Sequence, residues 1–201
     1  MQALFAQEPW LFLICAGVFG ALIGSFLNVV IYRLPVMMEH AWQDELADAQ
    51  GNEPAPRERF NLVVPRSRCG QCGHAITALE NVPIISWLAL RGRCSACGTR
   101  ISARYPLVEA ATAALFVTCA WHFGFTFQAL AAMTFGAVLV TLTGIDLDTQ
   151  LLPDQLTLPL LWLGLLVNLF AMFAHLPDAV IGAAAGYLVL WSVYWLFKLV
   201  T

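Results

Sequence analysis

Two Cys-x-x-Cys pairs in the middle of the chain have the spacing of a metal site. The pairs are Cys69/Cys72 and Cys94/Cys97. Each pair can direct two thiolates at one ion, and two pairs complete a closed tetrahedral site of four sulfur ligands. Because such a site has no open position, the pattern predicts structural Zn²⁺. Iron in a rubredoxin-like site is the competing metal, and free thiols or a disulfide are the alternatives without metal.

Three aspartates lie close together in the sequence "LTGIDLDTQLLPDQLTL", residues 142–158, between two apolar runs. A carboxylate at a membrane edge is costly, so it is a hypothesis about function. Asp146 and Asp148 are two residues apart and point about 200° apart on a helix, so they cannot share a proton. Asp154 follows Pro153 and is predicted to be a helix N-cap. Asp148 is predicted to be a solvated turn residue, which leaves Asp146 as the best catalytic candidate.

The composition indicates an integral membrane protein. The chain is 60% hydrophobic and 11% charged, with a mean hydropathy of +0.73, whereas a soluble domain is about a quarter charged. A net charge of −3 gives no indication of a nucleic-acid partner. Five stretches are long enough to cross about 30 Å of hydrocarbon as helices, with lipid as their partner. They are residues 10–33, 106–123, 127–145, 156–174 and 179–200.

The basic residues predict the orientation of these helices. Nine of the ten Lys and Arg residues lie from Arg33 to Arg104, and the tenth is Lys198. Because cytoplasmic loops carry the excess of Lys and Arg, the polar segment 34–105 is predicted to be cytosolic and the N-terminus periplasmic. The turns at 124–126 and 175–178 then lie outside, and the three aspartates lie at the cytosolic face.

This topology predicts an all-α polytopic membrane protein with a small four-cysteine lobe between its first two helices. Its parts are the first helix (1–35), a cytosolic loop (36–105) with the lobe at about 66–104, and four further helices (106–201). Residues between Pro35 and Pro65 are acidic and then Pro-rich. A solvated linker is the favoured interpretation of that segment, ahead of a short helix at "MMEHAWQDELAD".

The first predicted helix contains Gly20 and Gly24, a small-xxx-small pair that lets another helix approach closely. Ser25 and Asn28 follow and are candidates to hydrogen-bond across that contact. Pure helix packing and a role in substrate binding both remain open for this group. In the lobe, His74 neighbours the first cysteine pair and is predicted to be a loop residue, not a fifth ligand.

Aspartyl protease chemistry requires two neighbouring carboxylates, one of which keeps a proton while the other activates water. Glu109 is the only other acid that the topology buries on the same side as Asp146. It is predicted to pair with Arg104 or Arg100 instead. None of the candidate acids therefore supplies the second carboxylate of a catalytic pair.

The motifs together resemble the bacterial type IV prepilin peptidase family, the bifunctional leader peptidases and N-methyltransferases of the GxGD aspartyl protease class. They are "GSFLNVVIYRLP" (24–35), the two cysteine pairs with "ENVPIISWLALRGRC" (80–94), "ISARYPLVE" (101–109) and "DLDTQLLPDQLTLPLLWLGLLVN" (146–168). They occur in order over nearly the whole chain. Each motif alone is weak, but the combination is specific.

The resemblance implies that the protein is an enzyme of the bacterial inner membrane serving type IV pili and type II secretion. Such an enzyme cuts the basic leader from prepilins and pseudopilins and then methylates the new N-terminus with S-adenosylmethionine. Asp146 becomes the first catalytic aspartate, and Cys69, Cys72, Cys94 and Cys97 the family's tetracysteine site. The sequence has no glycine-rich motif of the Rossmann kind, so the methyl-donor site is built on another plan.

One departure from the family concerns the second aspartate, which lies in a Gly-x-Gly-Asp motif. These 201 residues contain no such motif. We therefore expect a chain that is truncated before that segment and inactive as a peptidase on its own. The alternatives are a non-catalytic membrane module that recognises pilin leaders and a membrane electron carrier with iron in the four-cysteine site.

Overall fold

The computed structural model describes residues 8–200, in which every regular element is a helix. The chain divides into two compact units, Met1–Leu152 and Pro153–Thr201. The helices are α1 (Pro9–Ala49), α2 (Ile85–Ala89), α3 (Arg104–Phe123), α4 (Phe127–Thr149), α5 (Asp154–Asn168) and α6 (Leu176–Val200). The predicted fold class, an all-α membrane protein with a lobe between its first helices, is confirmed. The predicted placement of the N-terminus concerns residues 1–7, which lie outside the described part.

Four of the six helices are long and apolar enough to cross a membrane: α1, α3, α4 and α6. They coincide with four of the five predicted stretches. The remaining stretch, 156–174, contains α5, which has 15 residues. At 1.5 Å per residue, α5 is about 22 Å long and falls short of a hydrocarbon core of about 30 Å.

Helix α1 has 41 residues and continues through Pro35 to Ala49. The prediction of a solvated linker after Pro35 is wrong for residues 36–49. A proline removes one backbone hydrogen bond from a helix but does not necessarily end it, and the residues that follow are mostly strong helix formers. The chain then turns back along this extension, where Arg57 donates to Asp44 over 2.6 Å.

The first unit is held together by close contacts between α1 and α3. A Cβ added at Gly20 would lie 2.9 Å from the Ala113 Cα, and one added at Gly24 would lie 2.7 Å from the Glu109 Cα. Only glycine permits two helix backbones to approach this closely. The packing role of the Gly20/Gly24 pair is therefore confirmed, and the two helices run antiparallel.

Helix α4 completes an up-down-up bundle with α1 and α3. Its Gly144 packs against Ile31 of α1, and its Gly136 packs against Leu115 of α3. A small apolar core lies toward the end of the bundle opposite the lobe and comprises Ala16, Phe116, Ala120, Ala129 and Met133. The bundle therefore brings the C-terminal end of α4, which carries Asp146, to the same side as the lobe.

Candidate functional site

The two cysteine pairs fold as two matching turns, which we call knuckles. In the first, the Cys69 amide donates to the His74 carbonyl over 2.9 Å, and the Gly73 amide donates to the Cys69 carbonyl over 2.9 Å. The second knuckle repeats both bonds at Cys94 and Gly98. Both Gly73 and Gly98 have a positive φ, which residues with a side chain rarely adopt.

The knuckles bring the four thiols together at one point. All four sulfur atoms lie within 4.8 Å of one another. The Cys69 and Cys97 sulfurs are 3.8 Å apart, and the Cys72 and Cys94 sulfurs are 4.0 Å apart. A tetrahedral ion with metal–sulfur bonds of about 2.3 Å requires sulfur–sulfur distances of about 3.8 Å. The four residues therefore fit a tetrahedral metal ion.

The pKa values of the thiols indicate why the cluster favours a bound cation. A hydrogen bond with the Thr99 hydroxyl lowers the pKa of Cys97 to about 6. Although the His74 backbone amide favours the Cys72 thiolate, the neighbouring thiols and burial raise the Cys72 pKa to about 11. Four thiolates this close repel one another, and a divalent cation removes that repulsion because it binds the deprotonated form.

Glu80 joins the two knuckles. Its carboxylate accepts hydrogen bonds from the Ser95 hydroxyl of the second knuckle and from the Thr77 amide and hydroxyl beside the first. The same carboxylate lies 3.3 Å from the His74 Nε2. The Ser95 hydroxyl, followed by the Thr77 amide, holds the pKa of Glu80 down to about 2. His74 therefore contacts Glu80, in keeping with its predicted place outside the ligand set.

The aspartates of residues 142–158 lie in different surroundings. Asp146 is half-buried in the last turn of α4, and within residues 8–200 its carboxylate has no hydrogen-bond or ion-pair partner. Asp148 is not simply solvated, because it forms an ion pair with Arg104 at the start of α3. Arg104 also donates to the Gly144 carbonyl over 3.0 Å. These two contacts bind the start of α3 to the turn that carries Asp146.

Two predictions about the other acids are wrong. Asp154 is the first residue of α5, not its N-cap; Pro153 holds the cap position in an extended conformation. Glu109 does not pair with an arginine. It is buried, and its Oε2 accepts a hydrogen bond of 2.7 Å from the Ile84 backbone amide in the lobe. A backbone amide competes well for a buried carboxylate because it brings no side-chain charge that must be desolvated.

Three polar residues, Arg33, Asn28 and Arg104, make contacts that hold the lobe and the start of α3 in place. Sequence reasoning anticipated the contact of Asn28 but not those of Arg33 and Arg104. Arg33 is buried and donates to the carbonyls of Asn61 and Pro65 over 2.8 and 2.6 Å. Asn28 bonds across the α1–α3 contact as a candidate should, donating to the Tyr105 carbonyl over 3.0 Å. The distribution of basic residues predicts only the orientation of the helices. The contacts of Arg104 with Asp148 and the Gly144 carbonyl, which we call the clamp, therefore have no signal in the sequence except the position of Arg104 at the start of an apolar helix.

Comparison with protein families matches almost the whole described chain. Residues 18–123 match the bacterial peptidase A24 N-terminal domain. Residues 133–200 match the type IV leader peptidase family. The four cysteines lie within the first match and Asp146 lies within the second.

Curated relatives match over the same length. The chain is 57% identical over 198 residues to the prepilin leader peptidase/N-methyltransferase of Stutzerimonas stutzeri, covering 98% of this chain and 68% of the relative. Identity to the protein of the same name from Pseudomonas aeruginosa is 55% over 197 residues, with the same coverage. For Aeromonas hydrophila it is 58% over 198 residues, covering 96% of this chain and 67% of the relative. No solved structure matches this chain.

Proposed function

The chain belongs to the type IV leader peptidase family, and on that premise we propose that it acts as a prepilin leader peptidase/N-methyltransferase. Its substrates are the prepilins and pseudopilins whose short basic leaders such an enzyme removes. Peptide cleavage of this kind requires a usable carboxylate, and Asp146 supplies one. The proposal therefore rests on the state of that side chain.

Asp146 serves as the first catalytic aspartate. It is half-buried at the end of a membrane-spanning helix and has no partner among the described residues, which is a costly state for an acid without a function. The nearby Asp148 is neutralised by Arg104, and Glu109 is engaged by the Ile84 amide. Of these three acids, Asp146 is therefore the one that is free to activate water, and the family resemblance implies that the second carboxylate comes from a Gly-x-Gly-Asp segment.

The four-cysteine site holds zinc in a structural role. Its sulfur distances suit a closed tetrahedral site with no position for substrate or water. Two knuckles tied by Glu80 surround the ion, so the metal stabilises the lobe of residues 66–104 and takes no part in cleavage. S-adenosylmethionine is the methyl donor, as the name of the relatives implies.

The enzyme lies in the bacterial inner membrane with its lobe in the cytosol. The basic residues support this orientation, because the lobe side carries Arg33 through Arg104. A basic leader stays in the cytosol and would meet Asp146 there. In a reporter-fusion map, Arg57 and Asp148 are expected on the cytosolic side and Asp178 outside. Finding Asp178 with Asp148 would show that α5, which is short for a span, does not cross the membrane.

The catalytic proposal is tested in a chain extended after residue 201 by a segment that contains Gly-x-Gly-Asp. The purified protein in detergent should shorten a prepilin, and with S-adenosylmethionine it should methylate the product. Asp146→Asn should abolish cleavage and leave the metal content unchanged. Asp154→Asn is the matched control, since this exposed acid begins the next helix in the sequence. Cleavage that survives in Asp146→Asn would overturn the assignment.

A further inference from the structure

We propose that residues 82–93 form a membrane-interface element that inserts apolar side chains into the lipid on the lobe side and binds anionic phospholipid headgroups. We call these residues the interface segment. It contains the short helix α2 and the two arginines that follow. The inference is independent of the proposed catalytic function, because it concerns how the lobe meets the bilayer.

The depth of the interface segment follows from its contact with α3. Helix α3 has 20 residues and is about 30 Å long, so it needs its whole length to cross the hydrocarbon. Glu109 lies five residues after Arg104, about 7.5 Å further along the helix axis. The Ile84 amide donates to Glu109, so the start of the interface segment lies deeper than Arg104, the first residue of α3, and at the level of the membrane.

At that depth the polar groups of the backbone are best satisfied within the protein, and the turns at both ends of α2 do this for part of the interface segment. Ile84 has a φ of 62° and stands at the centre of a tight turn closed by a 2.5 Å bond from the Ile85 amide to the Pro83 carbonyl. A β-branched residue in this conformation is strained, and the bond to Glu109 holds it there. Glu109 therefore has a structural purpose that explains its burial.

The end of α2 is closed in the same way. The Arg91 amide donates to the Leu88 carbonyl over 3.1 Å, and the Gly92 amide donates to the Trp87 carbonyl over 2.8 Å. These are the two bonds of a Schellman motif, and Arg91 occupies its left-handed position with a φ of 53°. The Trp87 and Leu88 carbonyls are thus paired at the end of the helix, although it has only five residues.

The two faces of α2 differ. Trp87 is half-buried, packs against Gly92 and donates from its Nε1 to the Ile101 carbonyl over 3.2 Å. Ile85 and Leu88, three residues apart and therefore on one face, are 66% and 62% exposed. Large apolar side chains on an element at membrane depth are covered at lowest cost by the acyl-chain boundary of the leaflet.

The charges around the interface segment select anionic headgroups. Arg91 and Arg93 are exposed, and an isolated bridge places Arg100 opposite Arg93. None of the three has an ion-pair partner among the described residues. The sole acid of residues 66–104 is Glu80, which is held by the knuckles. Unpaired arginines beside an inserted apolar face match the phosphates of an acidic leaflet.

A photoreactive probe tests both parts of the proposal and distinguishes lipid from a protein partner. Leu88 is replaced by p-benzoylphenylalanine in the chain of residues 1–201, which is placed in nanodiscs of phosphatidylcholine with phosphatidylglycerol. The matched control carries the same amino acid at Ala96, an exposed position at the tip of the second knuckle. After illumination, mass spectrometry identifies the adducts, and retained metal shows that the lobe is folded.

We expect phospholipid adducts at position 88, severalfold more than at position 96. Phosphatidylglycerol should exceed its share of the bilayer among them. The double variant Arg91→Gln/Arg93→Gln should reduce that share to the bulk value, whereas Arg66→Gln/Arg68→Gln on the first knuckle should not. Ile85 serves as a second probe position if the first variant loses its metal.

Three results would overturn the proposal. The first is a protein adduct in place of lipid at position 88 when a prepilin or a second copy of the chain is present, which would assign this face to a protein partner. The second is equal lipid labelling at positions 88 and 96. The third is phosphatidylglycerol enrichment that the arginine substitutions leave unchanged, which would remove the headgroup part of the inference.

Discussion

The four-cysteine lobe brings together residues that are far apart in the sequence. The aspartate segment, residues 142–158, does the opposite, because its acids are close in the sequence but lie in different surroundings. Cys69 and Cys97 are 28 positions apart, yet their sulfur atoms lie 3.8 Å from each other. Asp146, Asp148 and Asp154 lie within a short stretch of sequence, yet one has no partner, one is paired with Arg104 and one begins another helix. The lobe is thus a site that closes on itself, whereas the aspartate segment offers one carboxylate and depends on long-range partners.

Removing a ligand should have the largest effect, because the lobe is closed by its metal. Cys69→Ser is expected to release the ion and to loosen residues 66–104, while the membrane helices persist. Structural zinc sites contribute about 10–16 kcal/mol of apparent binding free energy, much of which goes into folding. Metal analysis and hydrogen exchange measure the two effects. Cys15→Ser is the control, and full metal occupancy in Cys69→Ser would contradict the site.

Cleavage by residues 1–201 alone should be undetectable, because the aspartate segment does not complete a catalytic pair. A carboxylate without its proton-donating partner loses general acid–base assistance worth about 10²- to 10⁴-fold in rate. The measurement is incubation of the purified chain with a prepilin, and the extended chain described above is the positive control. Efficient cleavage that depends on Asp146 would show that a second acid, with Glu109 as the candidate, lies within these residues.

The clamp between α3 and α4 should have a modest effect on stability. Arg104 and Asp148 are 38% and 42% exposed, so solvent screens their attraction. A double-mutant cycle with Arg104→Gln and Asp148→Asn should give a coupling energy of about 1 kcal/mol or less. In the extended chain, Arg104→Gln should lower cleavage more than Asp148→Asn does, because it also loses the bond to the Gly144 carbonyl. Equal losses would show that the ion pair alone positions Asp146.

Glu80 should have the smallest effect on metal retention, and its charge should make that effect depend on pH. Its pKa is held at about 2, below its ordinary value of 4.5, so the ionised group stabilises the folded lobe. That stabilisation is complete above about pH 4.5 and is lost as the pH falls toward 2. The advantage of the native protein over Glu80→Gln in retaining metal should therefore be constant near neutral pH and shrink in acid.

The control for this titration is Glu39→Gln, an exposed acid that contacts Gln43 on α1. Comparing the two proteins at each pH removes the loss of metal caused by thiol protonation itself. A difference between native protein and Glu80→Gln that persists unchanged to pH 2 would show that the charge of Glu80 does not tie the knuckles together.

Sequence reasoning succeeded where a local rule decides the structure. Cysteine spacing predicted the grouping of the four thiols, hydropathy predicted five spans of which four are long and apolar enough, and the Gly20/Gly24 pair predicted a close helix contact. It failed where distant parts of the chain compete for one group. For Glu109 the sequence offered Arg104 and Arg100 as plausible partners. Neither composition nor spacing indicates that the backbone amide of Ile84 is the partner instead.

The sequence by itself determined the membrane class, the grouping of the four cysteines and the place of Asp146 at the end of an apolar helix, because apolar length, paired thiols and helix periodicity act over a few residues. Only the tertiary structure decided which acids are engaged. The antiparallel packing of α1, α3 and α4 brings Arg104 to Asp148 and Ile84 to Glu109, partners 44 and 25 positions apart. A buried carboxylate takes whichever donor the packing delivers, since the cost of leaving it unpaired exceeds the difference between donors.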